Sequence, residues 1–290
     1  MRERENVRLR KEAGDFFPWT DNPILREYKF TNVRRYHDRT SRVLREKFYE
    51  PHFNAPRAEI LINCATFRYF GTSEFAEAVG WQDYETFDFD AVKEVAKQRL
   101  RDRERVFTGA YVITNQGISA PKEDVVVDYF LRALHDRAPA LCKIAADTDS
   151  WEQVARKMME INGFGGTGFM TKEVLLDTTY TSFWANQENN EDGVFSYPID
   201  WALYTPIGPG ARRGAARILD STFVPDHDSP LSETRAKQVI FDLMKAQYEF
   251  WPREFGFLAP HDIQFQLCEF DKYERVRLGQ GTPRSRYKPR

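Results

Sequence analysis

The stretch 162-NGFGGTGF-169 places four glycines within six residues, and what enters it constrains the fold more than any other feature of the chain. Gly163, Gly165 and Gly168 satisfy the GxGxxG spacing of a dinucleotide-binding turn, which requires a strand immediately before it. The residues that precede it are 150-SWEQVARKMMEI-161. Trp151, Val154, Ala155, Met158 and Met159 recur at helical intervals, and Ser150 stands three residues ahead of Gln153 in a capping-box spacing. A helix therefore enters the turn. A second apolar stripe, Phe169, Met170, Val174 and Leu175, predicts a helix leaving it. The alternating strand–helix rhythm of a parallel α/β sheet is missing elsewhere too, so the Rossmann reading fails.

The rest of the chain reads as mostly α. Helical patterns cover 36–50, 57–70, 88–105, 122–137, 233–250 and 261–278, with one short strand expected at 106-VFTGAYVIT-114. No internal repeat or low-complexity segment forces a boundary. The expectation is a single helical domain over 1–290, divisible at most into two lobes, with the glycine unit at 150–177 and a basic tail at 279–290.

The helix–glycine turn–helix unit resembles the helix-hairpin-helix motif of DNA-binding proteins and of the DNA glycosylase superfamily. Glycines let the backbone turn with positive φ and bring N–H groups near a phosphate. The start of the second helix adds its positive dipole end. Gly163, Gly165, Gly166 and Gly168 are the candidate contacts. A tight αα-corner needing glycine only for packing is the alternative.

Composition limits the function classes. With 41% hydrophobic and 30% charged residues, the chain suits a soluble globule. No apolar run approaches the roughly 20 residues that span a bilayer, and the start, MRERENVRLRKEAG, lacks a secretory apolar region. A cytoplasmic setting is expected. Cys64, Cys142 and Cys268 are scattered and odd in number, and the five histidines form no ligand-spaced pair, so neither a disulfide framework nor a metal centre is expected. The net charge of −2 hides basic segments: 284-RSRYKPR-290 carries four positive charges and no negative one. Nucleic-acid binding needs a basic face, not a basic protein. Arg284, Arg286 and Lys288 are therefore candidate phosphate contacts.

A second tight turn, Gly208-Pro209-Gly210, opens a helix with Arg212 and Arg213 in its first turn. Arginines there oppose the helix dipole, so an anionic partner is expected, and a phosphate fits.

Three blocks carry a resemblance: 18-PWTDNPILREYKFTNVRRYHDRTSR-42, 200-DWALYTPIGPGARRG-214 following the hairpin, and 267-LCEFDKYERVRLGQGTPRSRYKP-289. Together they resemble the α-glutamyl/putrescinyl thymine pyrophosphorylase group of phage DNA-modification proteins, and the helical domain attached to 5-hydroxymethyluracil DNA kinases. The resemblance runs from about residue 15 to 289. It implies a helix-hairpin-helix, glycosylase-like helical fold. It also implies double-stranded DNA carrying a modified thymine as substrate, an amino acid or polyamine as co-substrate, and a DNA kinase as partner, in the host cytoplasm. No GxxxxGK[ST] phosphate loop occurs in the chain, so phosphorylation is expected to fall to a separate kinase.

The implied reaction displaces (pyro)phosphate from the 5-methylene carbon of the modified base. It needs an accessible, flipped base, cations for the departing oxygens, and a base for the attacking amine. Asp200, Glu269 and Lys272 are the candidate catalytic groups. Asn32, Arg34, Arg35, Asp38, Arg39, Trp201 and Tyr273 are the candidate substrate contacts. Asp200 also fits a helix N-cap before Trp201, and Asp271 fits an i,i+4 pair with Arg275. No cofactor is implied, though magnesium suits a polyanionic leaving group. Excision of a modified thymine, or DNA binding without catalysis on behalf of a kinase, are the competing expectations.

Overall fold

A computed structural model describes residues 1–109, 111–190, 193–225, 231–283 and 285–287. It is mostly α. In chain order the helices are α1 (Arg2–Glu12), α2 (Pro23–Glu27), α3 (Arg39–Leu44), α4 (Arg57–Phe70), α5 (Ser73–Val79), α6 (Phe89–Arg101), α7 (Lys122–Asp124), α8 (Arg132–Thr148), α9 (Trp151–Met158), α10 (Phe169–Thr178), α11 (Pro209–Leu219), α12 (Glu233–Phe250) and α13 (Pro260–Arg277). A π-helical stretch, Val125–Leu131, runs α7 into α8, and another, Arg45–Tyr49, extends α3. An antiparallel hairpin pairs β1 (Asn186–Asn190) with β2 (Gly193–Tyr197).

The chain divides into two compact units, residues 39–204 and residues 1–38 with 205–290. In the 39–204 unit, α4 is buried on all sides from Ile60 to Phe70, and α10 is buried from Met170 to Thr178. Neighbours cover every face of these helices, so even the charged side chains they carry, Arg68 on α4 and Lys172, Glu173 and Asp177 on α10, lie inside. In the other unit, α11, α12 and α13 pack through Ala211, Ala215, Ala236, Val239, Ile240, Ile263 and Leu267, with Val33, Trp251 and Leu258 joining them.

Local signals account for most boundaries. Asn22, Thr72, Asp88, Ser150 and Ser232 each cap a helix through the side chain. Pro209 and Pro260 start α11 and α13, where a missing N–H costs nothing. The strand expected at 106–114 does not form among the described residues there. Thr108 instead donates its N–H to the Phe70 carbonyl, and the Tyr111 hydroxyl donates to the Arg68 carbonyl. The β-branched run thus serves the C-terminal end of α4, where no strand partner lies beside it.

The interior of the 39–204 unit holds a charged cluster. Arg68 Nε and Nη2 donate to the two oxygens of Asp177 at 2.5 Å each. Tyr49 Oη donates to Asp177 at 2.7 Å, and Arg68 also donates to Ser41 Oγ at 2.9 Å. Burial, reinforced by the Asp177 charge, pushes the Tyr49 phenol and the Cys64 thiol up, so both stay neutral. Burial also pushes the Cys142 thiol up to about 12. Thiol titration of the native chain at pH 8 is therefore expected to find Cys64 and Cys142 slow, with all three cysteines reacting after denaturation.

Candidate functional site

The glycine turn lies in the 39–204 unit, between α9 and α10. Gly163, Gly166 and Gly168 have φ of 90°, 66° and 69°. A side chain on Gly163 would strike Phe130 and Tyr69, whereas nothing lies within 4 Å of the Gly166 position. Gly163 is thus required for packing, and Gly166, with Thr167, forms an exposed tip. A side chain on Gly165 would press on the Met159 carbonyl at 2.7 Å. Gly168 precedes the first turn of α10, whose amides receive no side-chain cap. Gln116 Oε1 accepts the Gly163 N–H at 3.1 Å, tying the 111–118 loop to the turn. The packing role and the open tip both occur here, on different glycines.

Asp200 belongs to the same unit. It accepts from the Trp151 N–H at 2.6 Å, the Glu152 N–H at 2.9 Å and Ser150 Oγ at 2.8 Å. Ser150 Oγ in turn accepts the Gln153 N–H at 3.2 Å. Asp200 therefore caps α9 from a distance, rather than capping a helix before Trp201. A carboxylate suits this place because the first turn of a helix is its positive end. Replacing Asp200 by Ala is expected to lower stability by about 1–2 kcal/mol, and by Asn less, since one acceptor survives. A thermal melt checks the order. Trp201 is half-buried, edge-on to Trp151 at 5.0 Å between centroids. Arg39 is exposed at the start of α3.

The remaining described candidates lie in the unit of residues 1–38 and 205–290. There α13 gathers the first and third sequence blocks. Glu269 accepts the Thr31 N–H at 3.1 Å and pairs with Lys272 at 2.7 Å. Arg4 stands 3.6 Å from the same carboxylate. Lys272 also donates to the Lys29 carbonyl at 3.1 Å and lies 4.6 Å from the centre of the Phe30 ring. Tyr273 Oη accepts from Asn22 at 2.8 Å. Gln266 donates to the Val33 carbonyl at 2.9 Å. These contacts set the course of residues 29–33 along α13, and so fix where Asn32–Asp38 begins.

That loop closes on itself. Asp38 accepts the Asn32 N–H at 3.0 Å, and the Asn32 amide donates to the His37 carbonyl at 2.7 Å. Arg35 is 3.5 Å from Asp38, and its guanidinium lies over the Phe265 ring. Arg34 donates to the Phe257 carbonyl at 2.9 Å and to Tyr36 Oη at 3.0 Å.

The Gly208–Gly210 turn starts α11, which lies against α13. Gly210 faces Cys268 Sγ, 3.1 Å from where a Cβ would stand. Arg213 and Arg217 each donate to Asp271 at 2.8 Å, and Arg212 donates to the Leu231 carbonyl. Within the chain, then, the anionic partner of Arg213 is Asp271. This corrects the Asp271–Arg275 pairing expected from helical spacing: Asp271 is buried and faces α11, so only a tertiary partner reaches it. Arg217 and Asp271 escape sequence reading because they are 54 residues apart. Residues 285–287 run antiparallel to 27–29: the Lys29 N–H donates to the Ser285 carbonyl and the Tyr287 N–H to the Glu27 carbonyl. Arg286 pairs with Glu27 at 3.2 Å. Arg284 and Lys288 lie outside the described residues.

Along α13 the cations are matched by carboxylates of the same unit, Arg213 and Arg217 by Asp271 and Lys272 by Glu269. A family described as "5-hmdU DNA kinase, helical domain" matches residues 1–282, and the chain belongs to that family. A 5-hmdU DNA kinase of Bacillus phage SP10 is 27% identical over 233 residues, covering 75% of this chain and 35% of the phage protein. The chain thus spans about a third of that relative's length. No solved structure matches it. No helix among the described residues is long and apolar enough to cross a membrane, and no group of His, Cys, Asp or Glu there is arranged to hold a metal ion.

Proposed function

We propose that this chain engages DNA containing 5-hydroxymethyluracil and acts in its hypermodification as an amino-acid or polyamine transferase. The supporting observation is the membership of residues 1–282 in a 5-hmdU DNA kinase helical-domain family, in a stretch that carries no nucleotide phosphate loop of its own. Chemistry other than phosphorylation is then the natural assignment. In the proposed step, the amine nitrogen bonds to the 5-methylene carbon as its C–O bond to the (pyro)phosphate breaks. Pyrophosphate leaves, and the amine proton passes to a carboxylate. The open tip at Gly166 and the uncapped start of α10 would take DNA phosphates. Arg34, Arg35 and Arg213 supply cations for the substrate, and Glu269 beside Lys272 is the carboxylate assigned as base. Magnesium would arrive bound to the (pyro)phosphate, because no group of His, Cys, Asp or Glu among the described residues is arranged to hold it.

A second reading, DNA binding without catalysis on behalf of a kinase, draws support from Asp200. Its two oxygens already hold three protein donors, and Glu269 likewise already accepts from Thr31 and pairs with Lys272. The deciding experiment incubates the chain with kinase-treated hydroxymethyluracil DNA, magnesium, a pool of amino acids and putrescine. Nucleosides are then analysed by mass. The transferase reading expects a heavier nucleoside that disappears in the Glu269→Gln variant. Free base with abasic DNA would mean excision instead, and bound but unaltered DNA would favour the non-catalytic reading.

A further inference from the structure

Gly163 has both of its main-chain polar groups held by side chains from elsewhere in the 39–204 unit. Tyr69 Oη donates to its carbonyl, and Gln116 Oε1 accepts its N–H at 3.1 Å. Burial pushes the Tyr69 phenol up, so it keeps the proton it donates. The Tyr111 ring stands edge-on to Phe169, the first residue of α10, at 5.1 Å between centroids. The segment 111–116 therefore reaches both ends of the glycine turn, Phe169 through Tyr111 and Gly163 through Gln116.

Gln116 stands where its residue type is unexpected. The Ile118 N–H donates to the Asn115 carbonyl at 3.0 Å, and Gln116 and Gly117 between them have φ of 50° and 84°. A turn with positive φ at both central positions favours Asn, Asp and Gly. Asn115 Nδ2 secures it by donating to the Ala120 carbonyl at 2.7 Å. Backbone held in a sparsely populated region concentrates at ligand clamps and switch regions. The side chain has a fixed orientation as well. A main-chain N–H faces only an acceptor, so the amide turns Oε1 to Gly163 and its two N–H donors away from it. Gln116 is exposed, and its Nε2 has no partner among the described residues. Outward donors select a ligand rich in acceptors. No acid occurs in 111–122 or 161–172, so neither segment carries a carboxylate to repel an anion there.

From this geometry we infer that Gln116 is a phosphate contact of the glycine turn: anchored on Gly163 through Oε1, it donates from Nε2 to a phosphate of the DNA strand that the turn engages. The inference rests on the proposed binding of DNA phosphates at the Gly166 tip, and it names a side chain that decides which phosphate sits there. Main-chain amides and side-chain amides that bond phosphates fix the register of a protein on a duplex. An amide brought in from the 111–118 loop adds a second, separately anchored donor to those of the turn.

The test titrates the full chain into a short fluorescein-labelled duplex containing 5-hydroxymethyluracil and follows anisotropy, with a thermal melt of each variant beside it. Gln116→Met removes the donors without adding charge and is expected to weaken binding by about tenfold, the scale of one hydrogen bond to a charged group. Gln116→Glu separates a contact from a prop. It keeps an oxygen for the Gly163 N–H, so it is expected to melt with the wild type. It also replaces the outward donors by a negative charge, so at low salt it is expected to bind more weakly than Gln116→Met, with the deficit shrinking as salt screens the charge. Wild-type affinity in Gln116→Glu would overturn the inference, leaving Gln116 a support of the turn and the DNA reading intact. So would a loss of affinity that follows a fall in melting temperature in both variants. A wild type that does not bind the duplex would overturn the reading of the turn itself, and the inference with it.

Discussion

Asp177→Asn is expected to lower the melting temperature of the chain by roughly 6–20 °C, as read by circular dichroism. The substitution preserves shape and removes the charge. Arg68, only 2% exposed, then keeps its guanidinium in the interior with no anion opposite the Nε–Nη2 edge. Breaking one side of a buried pair costs about 3–5 kcal/mol, because the surviving charge stays desolvated. Each kcal/mol moves the midpoint by about 2–4 °C at this chain size. Tyr49 loses its strongest acceptor in the same step. The control is the Arg68→Met/Asp177→Leu double replacement, which removes both charges together. It is expected to recover a large part of the loss, since an apolar pair needs no compensation. Equal melting of wild type and Asp177→Asn would show that the pair is not desolvated as described.

That cluster also marks where the sequence stopped being legible. Arg68 and Asp177 sit on α4 and α10, 109 residues apart, and nothing local to either announces the other. By contrast α12 was readable to the residue, because its apolar period and Ser232 cap are local signals. The helices flanking the glycine turn were readable as elements, from Ser150 and from the Val174–Leu175 stripe, although the first ends at Met158 and not at Ile161. The 186–197 hairpin went unread because its strands, NQENN and GVFSY, are short, and the first has no apolar face to alternate. The segment 106–114 erred the other way: β-branched residues mark a fit to a half-buried surface, and here that surface is the end of a helix. The candidate site shows the same division. Glu269 and Lys272, three residues apart on one helical face, do pair. Asp200 and Asp271 find their partners on other helices, so their surroundings followed from the fold and not from spacing.

Gly214→Ala is expected to destabilise the chain by about 1–3 kcal/mol or more, the scale of an overpacked core. The sign is the informative part. At an exposed helical site the same change stabilises by roughly 0.5–1 kcal/mol, because alanine restricts the unfolded chain. At Gly214 the new Cβ would overlap the Leu267 carbonyl oxygen and stand 2.7 Å from its carbon and 3.0 Å from its Cα. All three atoms are backbone, so no side chain can turn aside. Instead α11 must move off α13. That separation would open the contacts of Ala211, Ala215, Ile263 and Leu267 and draw Arg213 and Arg217 away from Asp271. Gly210→Ala, one turn earlier, is the matched control. Its closest obstacle is the Cys268 sulfur at 3.1 Å, the end of a side chain with room to rotate. It is expected to change the melting temperature by a few degrees at most. If close approach of the two backbones sets the position of the arginines along α13, Gly214→Ala should also weaken binding to duplex DNA while Gly210→Ala leaves it near the wild-type value. Equal melting temperatures for the two variants would mean that α11 and α13 do not meet backbone to backbone.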